Sequence, residues 1–439
     1  MKEYQRNTDV RLRQVDRFQV MMQVQSLDEL IPADHEARVI WRISEALDLS
    51  AFYEPIKARE GRCGRDATDP RILFCLWLYA TIHGEGSARE LARLCVESAP
   101  YRWLCGGVSV NHHMLSDFRV DHGSALDGLL TQVLASLVDK GLVDVFRISQ
   151  DGTRVRACAG TGSFRGEARL EQLLAEAQAH VEELKRLLED PAHSAELSVR
   201  QKGARERAAA ERVERIEQAL GQMPELKRRH EKLLKKAGNG THGETVKARQ
   251  PRASTTDAEA RTMKMGDGGF RPAYNVQVAV DTASRAIVGL AVTNEGSDSA
   301  GLAEPMRKQV EQRTGRKVAE HLMDGGYTVL DDIDRAAAEG VTVYTPPKPS
   351  RNKDKRGDEF QPRNTDSPAV AAWRQTMSTP EAQNIYKERA STVETVNGDM
   401  KQHRGLRQFP VQGMHKALSV ALWAALAYNL IHFGQHLLA

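Results

Sequence analysis

The run Leu142-Val143-Asp144-Val145-Phe146-Arg147-Ile148-Ser149-Gln150-Asp151-Gly152-Thr153 decides how this chain is read. It is apolar enough to make a strand, and it closes on a carboxylate followed by glycine. Open α/β sheets place ligands at the carboxyl ends of their strands, and Gly152 lets other groups approach the backbone closely. Taken alone, an Asp-Gly pair after a strand is usually a turn. A second run of the same form, Val318-Ala319-Glu320-His321-Leu322-Met323, closes on Asp324 and is followed by Gly325-Gly326-Tyr327. A third carboxylate, Glu394, falls in a helical pattern that starts at Thr379-Pro380-Glu381. There Thr is the N-cap, Pro takes the first helical position and Glu sits near the positive end of the dipole. Ile385, Val393, Val396 and Met400 give that helix its inward stripe, and Glu394 and Lys401, two turns apart, share a face. Three carboxylates gathered by a fold are what a two-Mg²⁺ phosphoryl-transfer site requires.

Outward from these residues the chain alternates strand and helix patterns. Tyr274-Asn275-Val276-Gln277-Val278-Ala279-Val280 reads as a strand, Asp281-Thr282-Ala283-Ser284 as its turn, and Ala286 to Thr293 as the hairpin partner. A helix over 300–314, the strand to Asp324, a helix near Asp332 to Glu339 and the strand Val341-Thr342-Val343-Tyr344 follow, the last ended by Pro346-Pro347. About five strands in an α/β sheet result. Between the first two strands the segment 166–240 is charged and helical. Leu170, Leu173, Leu174, Ala177, Val181, Leu184 and Leu187 lie at helical spacing, then Pro191, then a second run with Ala208, Val213, Ile216, Leu220 and Leu226. This predicts an inserted antiparallel helical hairpin. It is a solvated spacer or a DNA-contacting arm, the latter kept open by the basic run from Lys227 to Lys236.

Residues 1–140 read as all helical. Asp69-Pro70 starts a helix that is apolar from Ile72 to Leu78, and Ser87 with Glu90 has the capping-box spacing. The two helices suggest either a helix-turn-helix-like pair or an ordinary bundle. At 439 residues the chain has room for two or three domains, and 41% hydrophobic content supports real cores. A net charge of +3 does not mark the whole chain as a nucleic-acid binder, so any basic surface must come from local clustering. Cys63, Cys75, Cys95, Cys105 and Cys158 form no C-x-x-C pair and are odd in number, against a disulfide framework or zinc site. His112-His113 has no metal-ligand spacing either. The polar N-terminus and the Ala-rich segment from Ala417 to Phe433, which includes Tyr428, Asn429 and His432, predict a cytoplasmic protein with a buried C-terminal helix and no membrane span.

The ordered set Asp151, Asp324 and Glu394, with Tyr386, Arg389 and Lys401 around the last, resembles the DDE transposases of bacterial insertion sequences. The Tyr386, Arg389, Glu394 and Lys401 set resembles the Tyr-Arg-Glu-Lys helix signature of a large group of them. The N-terminal stretch Ile31-Pro32-Ala33-Asp34-His35, the Phe118-Arg119 stretch and the segment from Ser254 to Gln277 extend the likeness over nearly the whole chain. The resemblance implies an α/β RNase H-like catalytic domain, with an inserted helical hairpin, behind an all-helical N-terminal domain. It divides the chain into 1–140, with a possible role in DNA-end binding, 141–165 plus 245–437, which is catalytic, and 166–240, the insertion. In such folds the first and fourth strands are neighbours, so Asp151 and Asp324 can share a metal ion. It also implies Mg²⁺, replaceable by Mn²⁺, held by Asp151, Asp324 and Glu394, with Tyr386, Arg389 and Lys401 holding the DNA end.

The partners implied are double-stranded DNA, as terminal inverted repeats and target, and a second copy of the chain in a homodimeric synaptic complex. One spacing departs from the signature. Four residues separate Arg389 from Glu394 where the group has three, which on an ideal helix puts the two about 140° apart. A local helix bulge or a branch-specific arrangement would reconcile them.

Basic residues fall where DNA would lie. Lys264 and Arg271 precede the second strand. Arg351, Lys353, Lys355, Arg356 and Arg363 form a Pro-flanked loop before the Glu394 helix. Lys401, His403, Arg404 and Arg407 follow Glu394. Such contacts set affinity and register without reading sequence. The competing readings are a catalytically inactive transposase-derived DNA-binding protein, a structural nucleic-acid scaffold with no metal dependence, and an RNase H-like repair or junction nuclease.

Overall fold

The structure is a computed structural model that describes residues 24–58, 66–189, 198–237, 250–298, 301–349 and 358–438, with a few isolated positions between them. Eight strands are present among these residues: β1 (Arg147–Arg156), β2 (Phe164–Arg165), β3 (Ala253–Ser254), β4 (Arg261–Lys264), β5 (Phe270–Asp281), β6 (Ile287–Thr293), β7 (Glu320–Met323) and β8 (Thr342–Tyr344). Six form one mixed sheet. β1 lies at its centre, antiparallel to β5 and parallel to β7, and β8 continues parallel beyond β7. β4 and β6 share the other edge of β5, β4 along its first residues and β6 along the rest. The first and fourth strands of the α/β series are thus neighbours.

Three strand expectations are corrected. The apolar run from Leu142 starts as a loop, because Val145 takes a φ of 55° in the left-handed region, where a β-branched residue breaks extended structure. β1 does not end at Asp151. It runs on to Arg156 because β5 continues to pair with it as far as Ala273. Lys264 and Arg271 do not simply precede a strand. They belong to β4 and β5, a hairpin closed by the turn at 265–269.

The N-terminal helices form as their caps dictate. Asp69 accepts a hydrogen bond from the Arg71 backbone ahead of helix Pro70–Ile82, and Ser87 accepts one from the Glu90 backbone ahead of helix Ala88–Glu97. The first of these is buried on all sides, from Ile72 to Ile82. It packs with helix Gly123–Asp139 and helix Met414–Leu437 in one apolar cluster that continues into the sheet through Tyr274, Val276, Val280 and Ile287. The C-terminal helix is long and apolar enough to cross a membrane, but 72% of its most apolar window is buried inside the protein. Its Asn429 donates to the Ile287 carbonyl and accepts from the Ile287 amide, both at 2.9 Å, pinning the helix to β6. A second cluster packs β7 and β8 against helices Leu330–Ala338, Pro368–Ser378 and Pro380–Arg389.

The insertion has its own small core of Leu170, Ala177, Ile216, Ala219 and Met223 between helices Glu167–Glu189 and Val199–Gly221. Its base is clipped by β2 and β3, which pair Phe164 with Ser254 and Arg165 with Ala253. The second helical run is shorter than its pattern suggested. It stops at Gly221, and a third helix, Met223–Ala237, begins with Pro224 near its first position. The expected break at Pro191 and the linker 238–243 lie outside the described residues.

Candidate active site

β1 and β7 run parallel in register from Arg147 opposite Glu320 to Gln150 opposite Met323. The next residue on each is an aspartate. Asp151 on β1 and Asp324, the first residue past β7, therefore come side by side, where neighbouring strands run about 4.8 Å apart. β7 stops there. Asp324 caps a 3₁₀ turn, Gly325–Tyr327, its side chain accepting from the Gly326 amide at 2.6 Å, while Thr345 donates to its carbonyl at 2.8 Å. Burial pushes the Asp151 carboxyl up to about 6. The Asp324 and Asp298 charges push the same way, and Arg389 and the Gly152 amide oppose them.

The Glu394 helix reaches this edge through a backbone irregularity. Thr379 caps helix Pro380–Arg389 as its sequence predicts, accepting from the Ala382 amide at 3.2 Å. Arg147 on β1 fastens that helix down, pairing with Glu320 of β7 and with Glu388 at 2.8 Å. At Ala390–Glu394 the backbone makes a π turn before helix Thr395–Gln402 resumes. A π turn bonds i to i+5 and so brings residues five apart onto one face. Arg389 and Glu394 are five apart, and the 140° separation expected of an ideal helix disappears. The Arg389 guanidinium pairs with Glu394 and stands 3.5 Å from an Asp151 oxygen. Its side chain is 12% exposed, against 49% for Glu394. Val393, Val396 and Met400 are fully buried, as their stripe predicts.

Tyr386 and Lys401 flank the carboxylates. The half-buried Tyr386 hydroxyl is pushed up by burial and by the charges of Asp324, Glu394 and Asp151, with Arg389 opposing. The Lys401 ammonium is pushed down by burial and by Arg154, while Asp151 favours its charged form. Other expected DNA contacts are placed differently. Arg404 is not a free cation. It is 9% exposed, pairs with Asp399 at 2.9 Å and donates to the Ile82 carbonyl at 2.6 Å, clamping this helix to the N-terminal region. Arg407 is exposed and holds Gln402 at 2.7 Å. Lys353, Lys355 and Arg356 lie outside the described residues.

One carboxylate at this edge carried no signal in the sequence. Asp298 is 8% exposed. It accepts from Asn275 at 2.8 Å and Gln277 at 3.1 Å through one oxygen, and from Arg154 at 2.9 Å through the other. Gln277 also accepts from Gln150 at 2.8 Å and from the Tyr327 hydroxyl. Asn275 and Gln277 lie at positions that alternation reads as outward, yet both are buried under Asp298. Gly152 makes room for this network, since a Cβ there would come within 2.4 Å of both Asp298 Oδ1 and Gln277 Nε2. Asn397, 3.5 Å from Asp151 through its amide nitrogen, has a buried carbonyl oxygen without a hydrogen-bond partner.

The donor chemistry suits a hard divalent cation. Two carboxylates, one on β1 and one just past the end of β7, stand side by side, one of them raised partly by the other's charge, beside the unpartnered Asn397 oxygen. Glu394 stands apart on Arg389. Among the described residues no three acidic, histidine or cysteine side chains form a ready metal-holding group.

Two family models match the sequence. "Transposase domain (DUF772)" matches residues 25–121 and "Transposase DDE domain" matches residues 241–430, together more than half of the chain. The chain belongs to the DDE-type insertion-sequence transposases. Searches of curated proteins and of solved structures returned no match. The transposase's Asp324 and Glu394 fall inside the DDE match, and Asp151 falls in the unmatched stretch between the two models. Strand pairing, not the family match, is what sets Asp151 beside Asp324 in this transposase.

Proposed function

We propose that this transposase binds the terminal inverted repeats of an insertion sequence and carries out Mg²⁺-dependent DNA cleavage and strand transfer with an RNase H-like catalytic domain. The observation that carries this is the adjacency of Asp151 and Asp324 at the edge reached by Arg389 and Glu394. Asp151 and Asp324 would hold the Mg²⁺, or Mn²⁺ in its place, with Glu394 completing the set once its carboxylate leaves Arg389. A bound pair of ions supplies a nucleophilic oxygen and offsets charge on attacking and leaving oxygens in an in-line displacement. The chain's own groups do the rest. Arg389 opposes the rise of Asp151 and pairs with Glu394. Tyr386 and Lys401 face the carboxylates, where a DNA end would be gripped by a hydroxyl and a cation. Arg147 keeps the helix carrying them against the sheet. A homodimer in the cytoplasm would align two ends on target DNA.

The test uses the full chain, a duplex carrying the repeats that bracket its gene, and Mg²⁺. Nicking at the repeat ends and joining to target are expected, and Asp324→Asn should lose both while keeping specific binding, since Asn is nearly isosteric but lacks the charge. Nicking retained by Asp324→Asn would remove Asp324 from the site. The Arg389–Glu394 pair favours a second reading, a DNA-binding protein of transposase descent that does not cut. Specific binding without nicking by the parent protein in Mg²⁺ or Mn²⁺ would select it. Cutting without joining would instead select a repair or junction nuclease.

A further inference from the structure

The insertion's base carries an unassigned concentration of positive charge. Arg165 on β2, Arg169 on the first hairpin helix, and Arg212 and Arg215 on the second line one cleft of about 350 Å³. Its other lining residues are Leu173, Ile216, Thr255 and Thr256, and none is acidic. The hairpin is not basic throughout. Glu182, Glu211, Glu214 and Glu217 line the neighbouring clefts, together with Arg207 in one and with Arg215 and Lys416 in the other. Of these three clefts, the one at the insertion's base alone is lined by cations without an anion.

The four arginines differ in how far they are committed. Arg165 donates to the Phe164 carbonyl at 3.0 Å, and Arg169 pairs with Glu176 at 2.9 Å across a half-exposed surface, a pairing worth little against solvent. Arg212 and Arg215 have no ion-pair partner among the described residues. The floor is rigid. The Thr255 amide donates to the Ser163 carbonyl at 3.1 Å, the Ser163 and Ser254 hydroxyls meet at 2.7 Å, and Ser254 accepts from the Thr256 amide at 3.1 Å. Ile216 and Leu170 lock the two helices beneath it. Guanidinium groups suit phosphate oxygens because their donors form a planar fork.

We infer that this cleft is a docking site for the phosphodiester backbone of duplex DNA, which makes the insertion a DNA-contacting arm and not a spacer. The occupant follows from charge: four cations with no lining anion fit a polyanion, and β2 joins this cleft by a short connection to β1, the strand that carries Asp151. The inference rests on the transposase reading above and extends it to a part of the chain that neither family model covers.

The experiment is equilibrium binding of the full chain to a repeat-bearing duplex and to an unrelated duplex across a salt series. Arg212→Ala with Arg215→Ala should flatten the log–log salt slope by about 1.8, for two phosphate contacts at 0.9 each. Extrapolated from molar salt, that is roughly a 60-fold loss at 0.1 M. Both duplexes should be affected alike. Arg212→Lys with Arg215→Lys should recover most of the affinity, which a folding defect would not allow. Arg200→Ala with Lys202→Ala, at the far end of the same helix, removes equal charge and should do much less. If the Arg212/Arg215 pair loses no more than the Arg200/Lys202 pair while the parent binds both duplexes, the cleft proposal alone is overturned. If the parent binds neither duplex, it falls together with the transposase reading.

Discussion

Replacing Gly152 by alanine tests whether the buried network beside Asp151 is built as described. The added Cβ would lie 2.4 Å from Asp298 Oδ1, 2.4 Å from Gln277 Nε2 and 2.7 Å from Asn275 Oδ1. None of these is the free end of a flexible side chain. Asn275 and Gln277 are buried, and Asp298 is held from both sides by Asn275, Gln277 and Arg154. Overpacking of this kind costs about 1–3 kcal/mol. Displacing Asp298 also weakens at least one hydrogen bond to a charged group, worth about 1.5–3 kcal/mol. The sum is on the order of 2.5–6 kcal/mol. At roughly 2 °C per kcal/mol for a large domain, the unfolding midpoint should fall by at least about 5 °C. Thermal unfolding followed by circular dichroism measures this. In an Asp298→Ala background the same glycine replacement should cost at least about 1 kcal/mol less, because one of the two closest obstructions is gone. A Gly152→Ala protein that melts within about 1 °C of the parent would refute the packing argument.

Asp151→Asn should stabilise the metal-free protein at neutral pH. The Asp151 carboxyl is raised to about 6 by burial, so the folded state binds its proton more tightly than the unfolded state does. The stability this contributes is fully present below about pH 4 and is lost as pH rises through 6. The Asn variant should therefore gain on the parent between those limits, approaching about 2–3 kcal/mol, as read by denaturant melts across pH. Arg389→Ala should push Asp151 higher still, since Arg389 opposes the rise, and a carboxyl resonance titrating no higher than in the parent would contradict that placement. For the basic loop at 351–363, replacing Lys353, Lys355 and Arg356 by Ala should weaken repeat-bearing and unrelated duplexes equally and flatten the salt slope by up to about 2.7. An unchanged slope would assign that loop to solvent.

Much of the candidate site's placement was legible because its parts are local. Asp151 and Asp324 each follow an apolar run, and the Thr379-Pro380 start of the Glu394 helix is written in cap chemistry. The π turn was visible only as one residue too many between Arg389 and Glu394, since ideal helical geometry has no place for it. Asp298 could not be read at all. Its position depends on β5 lying against β1, a pairing of residues more than a hundred positions apart, and Glu295-Gly296-Ser297-Asp298 looks like any polar loop. The same pairing explains why β1 outlasts Asp151. β4 was missed because a four-residue strand beside a glycine-rich turn offers too little alternation to count. Arg404 looked like a DNA contact because a sequence shows charge but not the Ile82 carbonyl that it caps.

The clip formed by β2 and β3 has a consequence for how the chain comes together. β1 is made roughly a hundred residues before β5, its antiparallel partner, so a ribosome adding about 5–20 residues per second leaves the future central strand alone for several seconds. The insertion can fold from local contacts in that interval. Once Phe164 and Ser254 have paired, the intervening hairpin no longer counts as slack. Only two short connectors then separate β1 from β5, and closing that smaller loop is easier by about 1.4 kcal/mol on simple chain statistics. A long excursion in the sequence becomes, during synthesis, a short walk.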